Sequence, residues 1–158
     1  MKPSFLVLGI GNPSRGDDAL GPTFVELATA IAGEDVELLT DFQLQIEHAL
    51  DLEGRRAVLF VDASTIAKAP FELVRIAPRD DRSHTTHAMT PEAVLGTYER
   101  VVGEPPEAWL LAIRGEHFEL GEPLSGAARA NLDAALAFFA HYAARARTSS
   151  ADAFVGGT

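Results

Sequence analysis

The sequence predicts a three-layer α/β/α domain built on a five-stranded, mixed and mostly parallel sheet. Three observations carry that prediction. Short apolar runs of strand length alternate with longer stretches of helical period. The cleanest run, Ala57-Val58-Leu59-Phe60-Val61, is apolar without alternation, as suits a strand covered on both faces. Only residues 63–70 separate it from the next strand, and a parallel crossover needs about a dozen residues or more. The fourth strand must therefore run antiparallel to the third.

Taken in order, residues 4–9 read as a buried strand that enters the turn Gly9-Ile10-Gly11. From about Asp18 to Ala32 the pattern is helical, with Leu20, Phe24, Leu27 and Ile31 on one face. Pro22 is tolerated in the first turn and Gly33 is a natural stop. Residues 36–40 give a short second strand. A helix is predicted over 43–52, with Leu44, His48 and Leu52 stacked on one side and Gly54 past its end. The apolar run 57–61, closed by Asp62, is the third strand, and 71–76 is the fourth, alternating more with charge. Residues 77–89 are polar and form a loop. Thr90-Pro91 opens a helix as N-cap and first helical residue, with Val94, Leu95, Tyr98, Val101 and Val102 as its apolar face. Gly103-Glu104-Pro105-Pro106 breaks the chain before a fifth strand over 108–113. A long Ala-rich helix follows over 125–147, with Leu132, Ala135, Leu136, Phe139 and Tyr142 facing inward. Residues 1–147 are expected to form a single domain, and 148–158 a disordered tail.

Composition narrows the function. At 158 residues the chain can bury a real core without staples. The absence of cysteine excludes disulfides, zinc–thiolate sites and a thiol nucleophile. No apolar run approaches the roughly 18 residues of a membrane span, and Met1-Lys2-Pro3-Ser4 leaves no room for a signal peptide, so a cytoplasmic, membrane-free protein is expected. A net charge of −10 argues against nucleic acid as a partner, since no basic face is available to neutralise phosphates.

Topology then brings distant residues together. If the fourth strand descends, the loop 77–89 must climb back to the upper edge; thirteen residues reach about 43 Å at roughly 3.3 Å each, about twice the height of a strand. The loop histidines His84 and His87 therefore meet the edge that carries the Gly9–Asp18 turn and Asp62. A lone Asp at a helix start reads first as an N-cap. Two adjacent ones, Asp17 and Asp18, reached through a Gly-X-Gly turn, point to a site. Two carboxylates and one imidazole suit a divalent transition metal of borderline hardness, such as nickel, zinc or manganese. His117, just after the fifth strand, is a more distant candidate on the substrate side, while His48 reads as a partner-satisfied helix residue.

Other readings of the glycine turn fail on spacing. A dinucleotide fingerprint would need glycine at Ser14, and a phosphate-binding P-loop would need Gly-Lys-Ser/Thr where the chain has Gly16-Asp17-Asp18. No Gly-X-Ser-X-Gly elbow is present, so neither serine nor cysteine supplies a covalent nucleophile.

The run Gly9-Ile10-Gly11-Asn12-Pro13-Ser14-Arg15-Gly16-Asp17-Asp18-Ala19-Leu20-Gly21 resembles the opening motif of the nickel–iron hydrogenase maturation endopeptidases. Phe60-Val61-Asp62-Ala63 and Thr85-Thr86-His87 resemble that family's second and third motifs at matching separations, so the resemblance spans about residues 4–145. It implies a phosphorylase/hydrolase-like fold and a monomeric protease that removes a C-terminal extension from the nickel–iron hydrogenase large-subunit precursor after nickel insertion. Nickel would arrive with the substrate, and no organic cofactor is expected. The metal-contacting residues implied are Asp18, Asp62 and His87, which are also the catalytic candidates. Attack would come from a water activated by the metal or by a carboxylate.

Asn12, Asp17, Asp41 and Gln43 are the candidates for substrate contact. Many members carry Asp-Gly-Gly-Thr after the second strand where this chain has Asp41-Phe42-Gln43-Leu44-Gln45, a departure that resembles members acting on NAD-linked bidirectional hydrogenases.

Two other classes stand beside this one. A nickel-binding maturation chaperone would need the same three ligands without proteolysis. Peptidyl-tRNA hydrolases also open with Gly-X-Gly-Asn-Pro, but they continue into a segment bearing a catalytic histidine. Here Arg15-Gly16-Asp17-Asp18 stands instead, placing negative charge where RNA would approach.

Overall fold

Every central strand is apolar on both sides, and the computed structural model accordingly sandwiches a five-stranded sheet between two helix layers. It describes residues 2–80 and 89–148, so His84, His87 and the 149–158 tail lie outside the described residues. The strands are β1 (Phe5–Ile10), β2 (Val36–Asp41), β3 (Ala57–Ser64), β4 (Phe71–Ile76) and β5 (Glu107–Arg114). Their spatial order is β2-β1-β3-β5-β4. The helices are α1 (Leu20–Ala28), a single turn α2 (His48–Asp51), α3 (Pro91–Val101) and α4 (Gly126–Thr148).

β1, β2, β3 and β5 are mutually parallel, while β4 runs antiparallel. Its direction is the one the short 63–70 connection demands, but its hydrogen-bonding neighbour is β5 rather than β3. β3 carries five buried residues in succession and occupies the interior of the sheet; β4, with Val74 and Arg75 exposed, takes the edge.

Alternate residues of the strands feed two cores. Val7, Leu59, Val61, Leu111 and Ile113 pack beneath Leu20, Phe24 and Ala28 of α1 and Leu132, Ala135 and Phe139 of α4. Phe24 and Phe139 meet edge-to-face with centroids 5.4 Å apart. Leu6, Leu8, Ile10, Val58 and Phe60 pack on the other side, against Leu44, Ala49 and Leu52 and against Val94, Leu95 and Tyr98 of α3. Each fully buried side chain of this size contributes roughly 1.5–3 kcal/mol.

Three local expectations are corrected. α1 ends at Ala28, where the Thr29 hydroxyl donates to the Val25 carbonyl and the chain turns, so Val25 is buried and Leu27 is 43% exposed. The 43–52 helix shrinks to α2: the amides of His48, Ala49 and Leu50 bond only three residues back, and the Leu44 carbonyl that a helix would give to His48 N accepts from Met89 N at 3.1 Å. α3 begins as expected, with Ala93 N donating to the Thr90 hydroxyl at 3.1 Å, but Val101 and Val102 at its far end are exposed, beyond the reach of the core.

Candidate active site

The chain crosses from β1 to β2 through α1 on one face of the sheet, and from β2 to β3 through α2 on the other. The carboxyl ends of β1 and β3 therefore flank a topological switch point, where open α/β sheets leave a crevice for ligands. Asp18 and Asp62 occupy it.

Asp18 sits in a 3₁₀ turn, Gly16–Ala19, that follows β1 and leads into α1. The approach is tight. Gly11 has φ +145°, and a Cβ there would collide with the Asp18 carbonyl, so glycine alone lets the strand end fold back against the turn. Gly9 and Gly21 likewise let the start of α1 lie directly on β1. Asp18 Oδ2 accepts from Asn12 N at 2.8 Å, and Asn12 Oδ1 accepts from Ser14 N at 2.9 Å. Asn12 thus shapes the turn and aims the Asp18 carboxylate.

Asp62 lies near the carboxyl end of β3, paired in register with Ala112, and is half-buried. Its pKa is pushed from 3.8 up to about 7, first by burial and then by the negative charge of Asp18, with the Ala63 amide opposing in part. Two carboxylates that repel one another across a partly dry crevice form an arrangement that a divalent cation relieves. Among the described residues no group of three His, Asp or Glu side chains is placed to hold a metal ion. The imidazole expected to complete the set, His87, lies outside them.

The remaining candidates divide. Asp41 ends β2 at the same edge: its carbonyl accepts from Gly11 N at 3.0 Å, and its Oδ2 meets Nε2 of buried His48 at 3.1 Å. Gln45 N donates to Nδ1 of that ring, which leaves the ring proton on Nε2 to donate to Asp41. His48 is thus a satisfied, structural histidine, as its apolar helix suggested. Gln43 is exposed on the segment that follows, as are the apolar side chains Phe42, Ile46 and Leu50, which the sequence reading did not single out.

Asp17 is revised. Its side chain is 0% exposed, and both oxygens are engaged by donors from the connection between β5 and α4, so it offers nothing to a substrate. Burial alone would raise its pKa, but the amides of Ser125, Glu116 and His117 and the Ser125 hydroxyl outweigh it and hold the carboxyl below its ordinary value. His117 contributes its backbone to this junction. With Glu119, Glu122 and Leu124 it lines a pocket of about 250 Å³. Ser125 was also missed, although a serine opening an Ala-rich helix is a cap signal: its hydroxyl accepts from Ala128 N at 3.1 Å.

The sheet order and the paired carboxylates at the switch point define a three-layer α/β/α protein with an acidic crevice. Solved proteins share this fold. The chain superposes on the NiFe hydrogenase maturation protease HycI from Thermococcus kodakarensis with a TM-score of 0.71 at 20% identity, covering 90% of this chain and 93% of that one. For the hydrogenase maturating endopeptidase HybD from E. coli the TM-score is 0.70 at 23% identity, covering 92% and 93%. A protein of uncharacterized function from Wolinella succinogenes matches with a TM-score of 0.61 at 14% identity, covering 90% and 97%. At these identities the likeness establishes the common fold. The chain matches no protein-family model and no curated protein.

Proposed function

We propose that this chain is the endopeptidase that removes the C-terminal extension of a nickel–iron hydrogenase large-subunit precursor once nickel has been inserted. The observation that carries the reading is the Asp18–Asp62 pair, held at the switch point of a fold shared with named hydrogenase maturation proteases. The opening motif 9–21 and the segment ending in His87 support it from sequence.

On this reading nickel is cargo of the substrate. Asp18 and Asp62 grip it, with His87 as the third contact that the resemblance assigns, and the grip brings the scissile peptide to the crevice. Asp41, Gln43 and the neighbouring exposed residues Phe42, Ile46 and Leu50 face the incoming protein. No cysteine or serine elbow is available for an acyl-enzyme, so the attacking group is water. Its oxygen adds to the carbonyl carbon, its proton passes to a carboxylate of the pair, and the same proton leaves with the departing amine.

The reading is tested by incubating precursor with wild type, Asp18→Ala and Asp62→Ala, each shown to be folded by circular dichroism. Wild type shortens the precursor and both variants lose at least about a hundredfold in rate, the range for removal of a proton-transfer or charge-stabilising group. Near wild-type processing by either folded variant would overturn it. No helix among the described residues is long and apolar enough to cross a membrane.

A further inference from the structure

A buried carboxylate without catalytic work needs a reason, and Asp17 is enclosed completely beside a residue that has such work. Its Oδ2 accepts from Glu116 N (2.7 Å), His117 N (3.0 Å) and the Ser125 hydroxyl (2.8 Å), and its Oδ1 from Ser125 N (2.8 Å). Backbone bonds run alongside: Asp17 N to His117 O at 2.6 Å, Gly16 N to Glu122 O at 3.0 Å, and Gly121 N to Ser14 O at 2.7 Å. All of these partners lie in the connection between β5 and α4. The fit is close on both sides, since a Cβ on Gly16 would collide with the His117 carbonyl and one on Gly115 would stand 3.0 Å from Asp17 Cβ.

The element so fastened is the four-residue 3₁₀ turn that carries Asp18, and no side chain caps it. So short a 3₁₀ turn does not hold its own place. Its position has to come from outside, and the Asp17 carboxylate supplies the largest share of the side-chain bonds that fix it. We propose that Asp17 is a positioning residue, which registers the 3₁₀ turn against the β5–α4 connection and thereby fixes the Asp18 carboxylate opposite Asp62. This rests on the peptidase reading of the Asp18–Asp62 pair.

The test compares Asp17→Ala and Asp17→Asn with Leu132→Ala, which empties a fully buried position on α4 and so controls for lost stability. Thermal unfolding, precursor-cleavage kcat and KM, and the affinity for nickel ion alone by calorimetry are read at a temperature where each variant is folded. Misplacement of a reacting group by about an ångström costs on the order of a hundredfold. Asp17→Ala is expected to lose about that much in kcat, to bind nickel about tenfold more weakly and, because the same pair grips the nickel of the precursor, to raise KM by up to about tenfold.

Asp17→Asn retains one acceptor oxygen and should fall between Asp17→Ala and wild type. Leu132→Ala should keep kcat and nickel affinity whatever its unfolding temperature. If the Asp17 variants instead track Leu132→Ala, the role is merely structural and the inference is overturned. Should neither Asp17 variant fold, Ser125→Ala, which removes one donor, is read in the same way. A wild type that binds nickel without cleaving precursor sinks the peptidase reading alone, and nickel affinity then decides the role of Asp17. A wild type that does neither overturns both.

Discussion

Replacing Asp62 by Asn should stabilise this protein at neutral pH, although it removes a residue the proposed activity needs. The folded-state pKa of Asp62 is about 7 against an ordinary 3.8. Below pH 3.8 the carboxyl is protonated in both folded and unfolded chains, and stability does not depend on it. Between 3.8 and about 7 the unfolded chain has released the proton while the folded one retains it, so stability falls as pH rises. Above about 7 both are ionised and the penalty is constant. A rise of about three units at about 1.36 kcal/mol each gives a full penalty of about 4 kcal/mol. Solvent contact at the half-buried side chain screens part of it, leaving roughly 2–4 kcal/mol.

Asn at this position keeps an oxygen for the Ala63 amide and carries no charge, so it escapes burial cost and Asp18 repulsion alike. Urea unfolding of wild type and Asp62→Asn from pH 4 to 8.5, without metal, measures the difference. The variant should match wild type near pH 4, gain steadily to about pH 7, and hold its advantage above. Parallel stability curves, or a variant less stable at pH 8, would show that burial and Asp18 do not hold Asp62 in its protonated form.

Other predictions follow from the same pair and its expected third member. Nickel binding should release at least about half a proton at pH 7, because about half of the Asp62 carboxyls carry one there, and nearly none at pH 9; calorimetry in buffers of different ionisation enthalpy reads the proton count. His87→Ala should abolish precursor processing and His84→Ala should cost much less, as measured by cleavage rates of variants that retain wild-type circular dichroism. The reverse order would reassign the third contact.

What the sequence showed clearly was what is written locally. Thr90-Pro91 announced the start of α3 because an N-cap and its helix are neighbours in the chain. Asp18 and Asp62 stood out because each ends a strand–turn signal, and parallel topology alone brings such ends to one edge. Placing β4 beside β5 was beyond it, since the short 63–70 connection fixes a direction and not a neighbour. The 43–52 segment has the apolar spacing of a helix but forms only one turn, because the Leu44 carbonyl goes to Met89 N, a partner 45 residues away that periodicity does not register. Asp17 looked like a twin of Asp18 because its partners are Glu116, His117 and Ser125, about a hundred residues downstream. Adjacent carboxylates in a 3₁₀ turn point in different directions, one into the crevice and one into the body of the protein.

The central claim is that this chain recognises nickel in a precursor and then cuts it. The most direct measurement incubates purified protein with the same hydrogenase large-subunit precursor in nickel-loaded and nickel-free forms and follows intact mass. Loss of a C-terminal segment is expected from the loaded form alone. Equal cleavage of both forms would remove nickel recognition from the account, and stable binding of the loaded form without any loss of mass would make the protein a nickel-dependent chaperone instead.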